Sequence, residues 1–220
     1  MTPDAETLAI DIVSDVVCPW CYLGAKRLGL ALEQEAGPVA IRWRPFQLDP
    51  TIPADGLDRT EYMERKFGKS GRIAQTHDML TRLGAEAGIS FAFDRIARAP
   101  NTLNAHRLVR WAASANKQAE VVDRLFRAYF TDGLDIGDAA ELTAIARECG
   151  LDPDVVASLL GRDDDKDAVR REIEEAQAIG VSGVPFFIFA GRLAVSGAQE
   201  VQVLRQAIAQ ARAMQPEPTT

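Results

Sequence analysis

The chain has 220 residues, of which 47% are hydrophobic and 26% are charged, a balance that is typical of an ordinary globular protein. This length suits one domain, or one domain with a large insertion. The formal net charge of -7 argues against a broad basic surface, so nucleic acid is not an expected partner. The sequence contains no apolar run of membrane-spanning length, and its acidic start lacks the basic segment of a signal peptide. We therefore expect a cytoplasmic protein without a membrane partner.

The first fifty residues predict a β-α-β unit. Residues 8–17, LAIDIVSDVV, are rich in β-branched side chains and alternate in polarity, which is typical of a strand. Helical spacing follows as far as the stop at Gly37 and Pro38, and residues 39–48 predict a second strand. Two strands that are joined through a helix in this way are expected to lie parallel.

The C-terminal segment has a different pattern. Residues 184–197, VPFFIFAGRLAVSG, hold two short apolar runs on either side of Gly191, which predicts a β-hairpin. An amphipathic helix follows, and its apolar face carries Val201, Leu204, Ile208 and Ala211. The final residues, QPEPTT, are expected to fray.

Between these ends, residues 57–180 are predicted to be helical, with Gly and Pro as breaks. The predicted helical segments are 59–67, 72–87, 102–115, 118–130, 138–149, 153–160 and 166–179. We therefore predict an α/β fold in which residues 1–56 and 181–214 build one discontinuous domain around a small mixed sheet. Residues 57–180 would form an all-helical insertion domain that caps the functional site.

Two of the three cysteines stand three positions apart, where the first strand gives way to a helix. Cys18 is expected at the first helical turn, where unpaired N–H groups and the helix dipole stabilise a thiolate and lower the pKa of the thiol. Pro19 suits the first helical position because it has no N–H to leave unpaired. Cys21, one turn later, can attack a mixed disulfide formed at Cys18. The spacing predicts Cys18 as the nucleophile and Cys21 as the resolving thiol.

Other interpretations of the cysteines stay open. Both could be small buried apolar residues, which is a common fate of free cysteine. A zinc site needs about four ligands, and the further Cys and His residues are widely spaced, so no metal is expected; these residues are His77, His106 and Cys149. A non-catalytic module that binds a metal or a partner is the second alternative function. Cys149 is expected to be an inert thiol at a helix end.

Several stretches together resemble the thioredoxin-fold DsbA family, and more narrowly its FrnE-like branch, over nearly the whole chain: SDVVCPWCYLG, RWRPFQLDP, PNTLNAHRLVRWA, GVSGVPFFIF and VSGAQ. The resemblance implies a thioredoxin fold, β-α-β then β-β-α, with a helical insertion. It implies a thiol-disulfide oxidoreductase that acts on protein or low-molecular-weight disulfides, and it allows a homodimer. It also implies a cis bond before Pro185, which would face the cysteines and leave the Val184 backbone free to pair with an extended substrate.

Related branches suggest the first alternative function. The chain is similar to kappa-class glutathione transferases and 2-hydroxychromene-2-carboxylate isomerases, which use glutathione and typically have serine in place of Cys18. The first alternative is therefore a glutathione-dependent isomerase or transferase that acts on an aromatic small molecule. No tightly bound cofactor is expected, and glutathione would be a redox partner or co-substrate. Its carboxylate could bind the N–H groups of a helix start at Gly197, Ala198 and Gln199, although the Asp-Arg pair typical of those proteins is missing.

Three further side chains near the predicted site have open roles. The resemblance places His106 on a helix close to the cysteines, where it would either tune the Cys18 thiolate or simply be a hydrogen-bonded helix residue. Trp20 is either a ring that faces the substrate or a packing residue. His77 shares a predicted helix face with Ile73 and Leu80, so packing is expected for it.

Overall fold

The computed structural model describes residues 7–68 and 71–215. The acidic residues of the N-terminal segment and the tail after Gln215, including the fraying expected there, lie outside this part of the chain. The described strands are β1 (Leu8–Ser14), β2 (Val39–Pro45), β3 (Leu57–Asp58), β4 (Arg98–Ala99), β5 (Phe186–Phe189) and β6 (Leu193–Ser196). Four of them form the main sheet in the order β2-β1-β5-β6, and β3 pairs with β4 in a small separate sheet.

The α-helices of the described residues are α1 (Pro19–Leu32), α2 (Arg59–Phe67), α3 (Arg72–Glu86), α4 (Leu103–Ala113), α5 (Gln118–Arg127), α6 (Ala139–Glu148), α7 (Pro153–Leu160), α8 (Lys166–Ala178) and α9 (Val201–Ala213). Helices α2 to α8 lie within the predicted helical segments. The segment predicted as 118–130 changes its winding after α5 and continues as a π-helical turn at Ala128–Asp132.

The register of the main sheet confirms the β-α-β unit and the hairpin. Strand β1 pairs parallel with β2, and Ile10 stands beside Ile41 in this pairing. It pairs antiparallel with β5 on its other side, where Ile10 stands beside Phe189. Strands β5 and β6 form the antiparallel hairpin. Two distant parts of the chain therefore complete one sheet, and β1 lies inside it.

The main sheet is covered on both faces. Alternate residues of β1 and β5, such as Ile10 and Phe187, pack with α1 and α9 in one buried cluster. Val13 points the other way and packs with Ala176 of α8 in a second cluster. Burial of β1 on both faces explains why apolar residues dominate its sequence.

The insertion docks on the opposite side of α1 through aromatic side chains. Tyr22 of α1 stacks on Phe126 of α5, with ring centroids 5.0 Å apart. Arg107 of α4 is fully buried and donates to the backbone carbonyls of Leu159, Arg162 and Asp164, which ties α4 to the loop between α7 and α8. The predicted α/β thioredoxin fold with a helical insertion is confirmed, although the insertion also contains the two-residue strands β3 and β4.

Candidate active site

The two cysteines of the CPWC stretch lie where β1 leads into α1. Cys18 has extended backbone dihedrals and is the N-cap of α1, and Pro19 is the first helical residue, as predicted. Cys18 therefore stands just before the first turn rather than within it. Its N–H donates to the carbonyl of Asp15 (3.0 Å), and its own carbonyl accepts the N–H of Cys21 (3.0 Å). These two bonds fix the turn that presents both thiols.

Both thiols are free and almost fully buried, with exposed fractions of 4% for Cys18 and 1% for Cys21. Burial raises the pKa of Cys21 well above its usual value, and the neighbouring Cys18 adds to the rise. The Ser14 hydroxyl and the Asp15 backbone oppose this rise. The Ser14 hydroxyl oxygen is itself buried and has no hydrogen bond within the described residues. It can therefore donate to Cys21 once that thiol ionises.

The segment around Pro185 faces the cysteines. The Val184–Pro185 peptide bond is cis, and the Cys18 thiol donates to the carbonyl oxygen of Val184 at 3.7 Å. The carbonyl of Pro185 in turn accepts the N–H of Gly197 at 2.8 Å. Among the described residues, the Val184 N–H donates no backbone hydrogen bond. Of the two Val184 backbone groups expected to meet a substrate, the carbonyl is thus held by Cys18 and the N–H is available.

The expected helix start at Gly197 was wrong. Helix α9 begins at Val201 with Glu200 as its N-cap, so residues 197–199 form a turn before it. Inside that turn the N–H of Gln199 donates to the carbonyl of Gly197, and the Gly197 N–H is already bonded to Pro185. Two of the three N–H groups that were expected to bind a carboxylate are therefore used within the protein. Gly197 acts here by holding Pro185 in position.

Arg27 of α1 holds the turn at residues 197–199 in place. The sequence predicted Arg27 only as a helix residue and did not reveal this role. Its side chain is buried, donates to the carbonyl of Ala198 at 2.9 Å, and lies 2.9 Å from a carboxylate oxygen of Glu200. Because Glu200 itself is largely exposed, this ion pair adds little stability. The backbone contact is the one that joins α1 to the segment carrying Pro185.

His106 lies behind the cysteine turn, on α4. Its Nε2 atom is 3.3 Å from the Asp15 carboxylate, and both side chains are almost fully buried. The second carboxylate oxygen of Asp15 accepts the N–H of Leu48 at 2.8 Å. His106 thus meets the site through Asp15, whose backbone carbonyl accepts the Cys18 N–H. His106 is thus the hydrogen-bond partner of Asp15 in the cysteine turn, and a role in tuning the Cys18 thiolate stays a prediction.

A cavity of about 520 Å³ lies beside Cys18, between the cysteine turn and helices α2 and α3 of the insertion. Cys18, Pro19, Trp20 and Val184 form one wall. The insertion contributes Arg59, Tyr62, Met63, Lys66, Phe67, Arg72, Ile73, His77, Leu80, Tyr129 and Phe130. Trp20 lines the cavity and also packs against the core of the insertion, and a contact between its ring and a substrate stays a prediction. The volume suits a small organic molecule.

None of the insertion residues that line this cavity was predicted as a site residue. For His77 the sequence predicted a packing role. His77 stacks on Phe93 with ring centroids 4.0 Å apart and also lines the cavity. Burial lowers its pKa, and the charge of Arg59 adds to that effect. Helical periodicity identified α2 and α3, but which of their faces turns toward Cys18 depends on how the insertion docks.

Other features of the described residues lie outside this site. Cys149 is half-buried at the end of α6, and burial raises the pKa of its thiol, followed by the charges of Glu120 and Glu148. Residues 7–68 and 71–215 contain no group of three His, Cys, Asp or Glu side chains arranged to hold a metal ion. Within the same ranges, no helix has the length and apolar character needed to cross a membrane.

Comparison with known proteins gives one family and several similar folds. Residues 9–209 match the family described as a DSBA-like thioredoxin domain. The chain is similar to a Streptomyces coelicolor structure described as a "probable DsbA oxidoreductase", with 30% identity and a TM-score of 0.87, over 97% of this chain and 93% of that one.

Two more distant structures share the fold alone. One is a 2-hydroxychromene-2-carboxylate isomerase, with 20% identity and a TM-score of 0.68 over 92% of this chain and 95% of that one. The other is the cytosolic disulfide reductase DsbM from Pseudomonas aeruginosa with GSH, with 22% identity and a TM-score of 0.62 over 93% of this chain and 96% of that one.

Proposed function

Because the chain belongs to the DSBA-like thioredoxin domain family, we propose that it is a thiol-disulfide oxidoreductase whose reactive dithiol is Cys18 and Cys21. The observation that carries this proposal is the arrangement of Cys18. Its thiol lines the cavity, stands at the N-cap of α1 and contacts Val184, while Cys21 lies one helical turn behind it. These positions suit an attacking thiol in front and a resolving thiol in the interior.

The exchange takes place in two steps. The Cys18 thiolate attacks one sulfur of a substrate disulfide, which forms a mixed disulfide and releases the first substrate thiolate. Cys21 then loses its proton and attacks the Cys18 sulfur, which releases the second thiolate and closes the Cys18–Cys21 disulfide. The substrate gains two electrons and the protein dithiol loses two. Run in reverse, the same steps oxidise a substrate dithiol, and the relative potentials decide the direction.

The groups that surround Cys18 and Cys21 support both steps of the exchange. Cys18 is the N-cap residue of α1, next to the end of the helix at which the helix dipole is positive. The Ser14 hydroxyl and the Asp15 backbone favour the Cys21 thiolate against the effect of burial. The available Val184 N–H is suited to pair with the backbone carbonyl of an extended disulfide substrate. Pro19, Trp20 and Val184 line the cavity against which that substrate would lie, and Gly197 holds the buried Pro185 next to Val184.

Protein disulfides and low-molecular-weight disulfides are both candidate substrates, and we propose glutathione as the thiol that restores the reduced dithiol. The disulfide reductase structure with GSH supports this choice at the level of the fold. No tightly bound cofactor is needed, because the protein dithiol itself carries the two electrons. A cytoplasmic location and a homodimer stay predictions.

A glutathione-dependent isomerase or transferase acting on an aromatic molecule is the second candidate function. The aromatic lining of the cavity favours it, and the 2-hydroxychromene-2-carboxylate isomerase shares the fold. The pairing of Cys18 with Cys21 stands against it, because such chemistry does not need a second thiol one turn away. The two functions differ in one requirement: the oxidoreductase needs Cys21 and the isomerase does not.

A single-turnover experiment tests the proposal. Fully reduced protein is mixed with a short peptide that carries one disulfide, the reaction is quenched with acid, and the products are counted by mass spectrometry. We expect one Cys18–Cys21 disulfide per peptide dithiol formed. Cys21→Ala should stop at a mixed disulfide on Cys18, Cys18→Ala should lose at least about 100-fold in rate, and the matched Cys149→Ala control should behave like the wild type. Unchanged peptide reduction by Cys21→Ala would reject the proposal in favour of the second candidate.

A further inference from the structure

The cavity beside Cys18 combines two properties that the exchange reaction itself does not require. Its surface is largely apolar and aromatic, with Trp20, Phe67 and Phe130 among its walls. It also takes three basic side chains from the insertion, namely Arg59, Lys66 and Arg72. A general disulfide exchanger needs neither, so both features carry information about the substrate.

The charge of Lys66 is largely balanced inside the protein. Its Nζ atom is 2.7 Å from the Tyr62 hydroxyl and 3.8 Å from the Asp49 carboxylate. Burial alone would raise the pKa of Asp49, but hydrogen bonds from Thr51 and the charge of Lys66 outweigh it and lower that pKa. Asp49 is thus ionised at neutral pH, and the pair leaves little net charge for a ligand.

Arg59 is held in place without being neutralised. Its guanidinium donates to the Tyr129 hydroxyl at 3.3 Å and lies 6.0 Å from the centre of the Tyr129 ring. Within residues 7–68 and 71–215, no carboxylate lies within ion-pair distance of Arg59 or of Arg72. Asp15 also lines the cavity, and its two carboxylate oxygens are hydrogen-bonded to the Leu48 N–H and His106 behind it. Among the described lining residues, three cationic side chains therefore stand against the carboxylates of Asp15 and Asp49, which leaves an excess of positive charge next to the aromatic side chains.

From this arrangement we infer that the cavity selects a low-molecular-weight disulfide whose substituent is an aromatic carboxylate. The aromatic group would bury against the apolar walls, and its carboxylate would meet Arg59 and Arg72. The inference rests on the proposed function, because it names the substrate class of the same dithiol. A volume of about 520 Å³ holds one such molecule rather than a folded protein segment.

The step remains the exchange already described. The Cys18 thiolate attacks the disulfide of the aromatic carboxylate and releases one aromatic thiolate, and Cys21 displaces the second. The products are two thiols and the Cys18–Cys21 disulfide, so electrons balance without another oxidant. A further thiol, such as glutathione, restores the protein dithiol and is itself oxidised.

The test compares matched disulfides at one pH and one ionic strength, in a Cys149→Ser background. The probes are 5,5′-dithiobis(2-nitrobenzoate), which is aromatic and anionic, 4,4′-dithiodipyridine, which is aromatic and neutral, dithiodiglycolate, which is aliphatic and anionic, and hydroxyethyl disulfide, which is aliphatic and neutral. Each rate is divided by the rate of the same probe with free reduced glutathione, because leaving thiols differ in intrinsic reactivity. We expect the highest normalised rate for the anionic aromatic probe.

Substitutions of the cavity arginines test whether the preference for the anionic aromatic probe arises in the cavity. Arg72→Gln and Arg59→Gln should each lower the normalised rate of the anionic aromatic probe roughly fivefold and leave the neutral aromatic probe unchanged. Arg82→Gln is the matched control, since Arg82 is exposed on the same helix as Arg72 and does not line the cavity. Arg59→Gln removes a hydrogen bond to the Tyr129 hydroxyl and could fold poorly for that reason. Arg72→Gln removes no such bond, so it tests the preference even if Arg59→Gln does not fold.

Failures of the two proposals give different results. If none of the probes produces a Cys18–Cys21 disulfide, the proposed oxidoreductase function is wrong. If all four produce it at equal normalised rates, or if Arg72→Gln and Arg82→Gln are equivalent, the function stands and the inferred substrate class is overturned. A peptide disulfide that exchanges faster than every small probe, after the same normalisation, would also overturn it, because the occupant would then be a polypeptide.

Discussion

The Cys18 thiol donates to the carbonyl oxygen of Val184 at 3.7 Å, across 166 positions of the chain. The contact joins the turn between the C-terminal end of β1 and the start of α1 to the segment that enters β5. Both parts are held by β1, which lies between β2 and β5. The candidate site therefore depends on how closely α1 approaches the Pro185 segment.

Gly24 of α1 allows this approach. A Cβ atom at Gly24 would stand 3.0 Å from Pro185 Cγ and 3.2 Å from the Phe187 ring, whereas a Cβ at Gly29 of the same helix meets nothing within 4 Å. We expect Gly24→Ala to lower the free energy of unfolding by about 1–3 kcal/mol through overpacking. Gly29→Ala should raise it by about 0.5–1 kcal/mol, because alanine favours the helix.

Urea unfolding of the two glycine variants and the wild type checks this prediction. Single-turnover exchange should slow in Gly24→Ala, because Pro185 must shift away from Cys18, and stay unchanged in Gly29→Ala. Equal stability of the two variants would show that α1 and the Pro185 segment do not constrain each other.

The second step of the exchange should depend strongly on pH. Burial keeps the pKa of Cys21 high, and in the mixed disulfide the raising effect of the Cys18 thiol is gone while burial stays. Below the pKa of Cys21, the fraction of its thiolate increases about tenfold for each pH unit. The rate of resolution should therefore also increase about tenfold per pH unit between about pH 6 and about pH 8.5. The chromogenic probe 5,5′-dithiobis(2-nitrobenzoate) measures this, because its second released thiol reports resolution. A second phase independent of pH would contradict the buried, protonated state of Cys21.

The Ser14 hydroxyl should contribute to the same step. It favours the Cys21 thiolate and is otherwise unpaired among the described residues. We expect Ser14→Ala to slow the second phase by about three- to tenfold and leave the first phase unchanged, since one hydrogen bond to a charged group is lost. Stability should not fall, because no hydrogen bond of the resting state is removed.

An exposed serine on α7, Ser158, provides the matched control for that experiment. Ser158→Ala should leave both phases at the wild-type rates. If Ser14→Ala also leaves both unchanged, Cys21 ionises without help from this hydroxyl.

The contact between His106 and Asp15 should act on stability rather than on reactivity. Removing the imidazole in His106→Ala leaves a buried carboxylate with one partner fewer, which should cost about 1–3 kcal/mol in the free energy of unfolding. Leu108→Ala on the same helix is a control of comparable burial. We expect the pH dependence of Cys18 alkylation by iodoacetamide to be the same in both variants and the wild type. A displaced pH profile in His106→Ala alone would instead show that the imidazole tunes Cys18.

Local patterns explain which parts of this site could be predicted. The cysteine turn follows from a β-branched strand, a proline suited to the first helical position and helical spacing after it, all within about twenty residues. The hairpin follows from two apolar runs around Gly191. The resemblance supplied Pro185, which lies 167 positions from Cys18 in sequence and whose preceding bond is cis in the structure.

The features of the site that could not be predicted from the sequence depend on contacts between elements that are distant in the chain. Arg59 and Tyr129 lie 70 positions apart within the insertion and meet only because the insertion folds on itself, and the sequence of α2 alone marks that helix as polar and solvated. The Gly197 turn was mistaken for a helix start because glycine and small residues precede α9, whereas its N–H is used by Pro185. These features depend on tertiary docking, which periodicity does not encode.

A redox titration tests directly whether Cys18 and Cys21 act as one redox-active dithiol. The protein is equilibrated in buffers that span reduced to oxidised glutathione, free thiols are trapped with a mass tag, and Cys18 and Cys21 are read by mass spectrometry. We expect both thiols to disappear together as one intramolecular disulfide with a single midpoint, while Cys149 follows its own course. If Cys18 stays free, or stops as a glutathione adduct while Cys21 remains reduced, the Cys18–Cys21 dithiol is not the reactive unit of this protein.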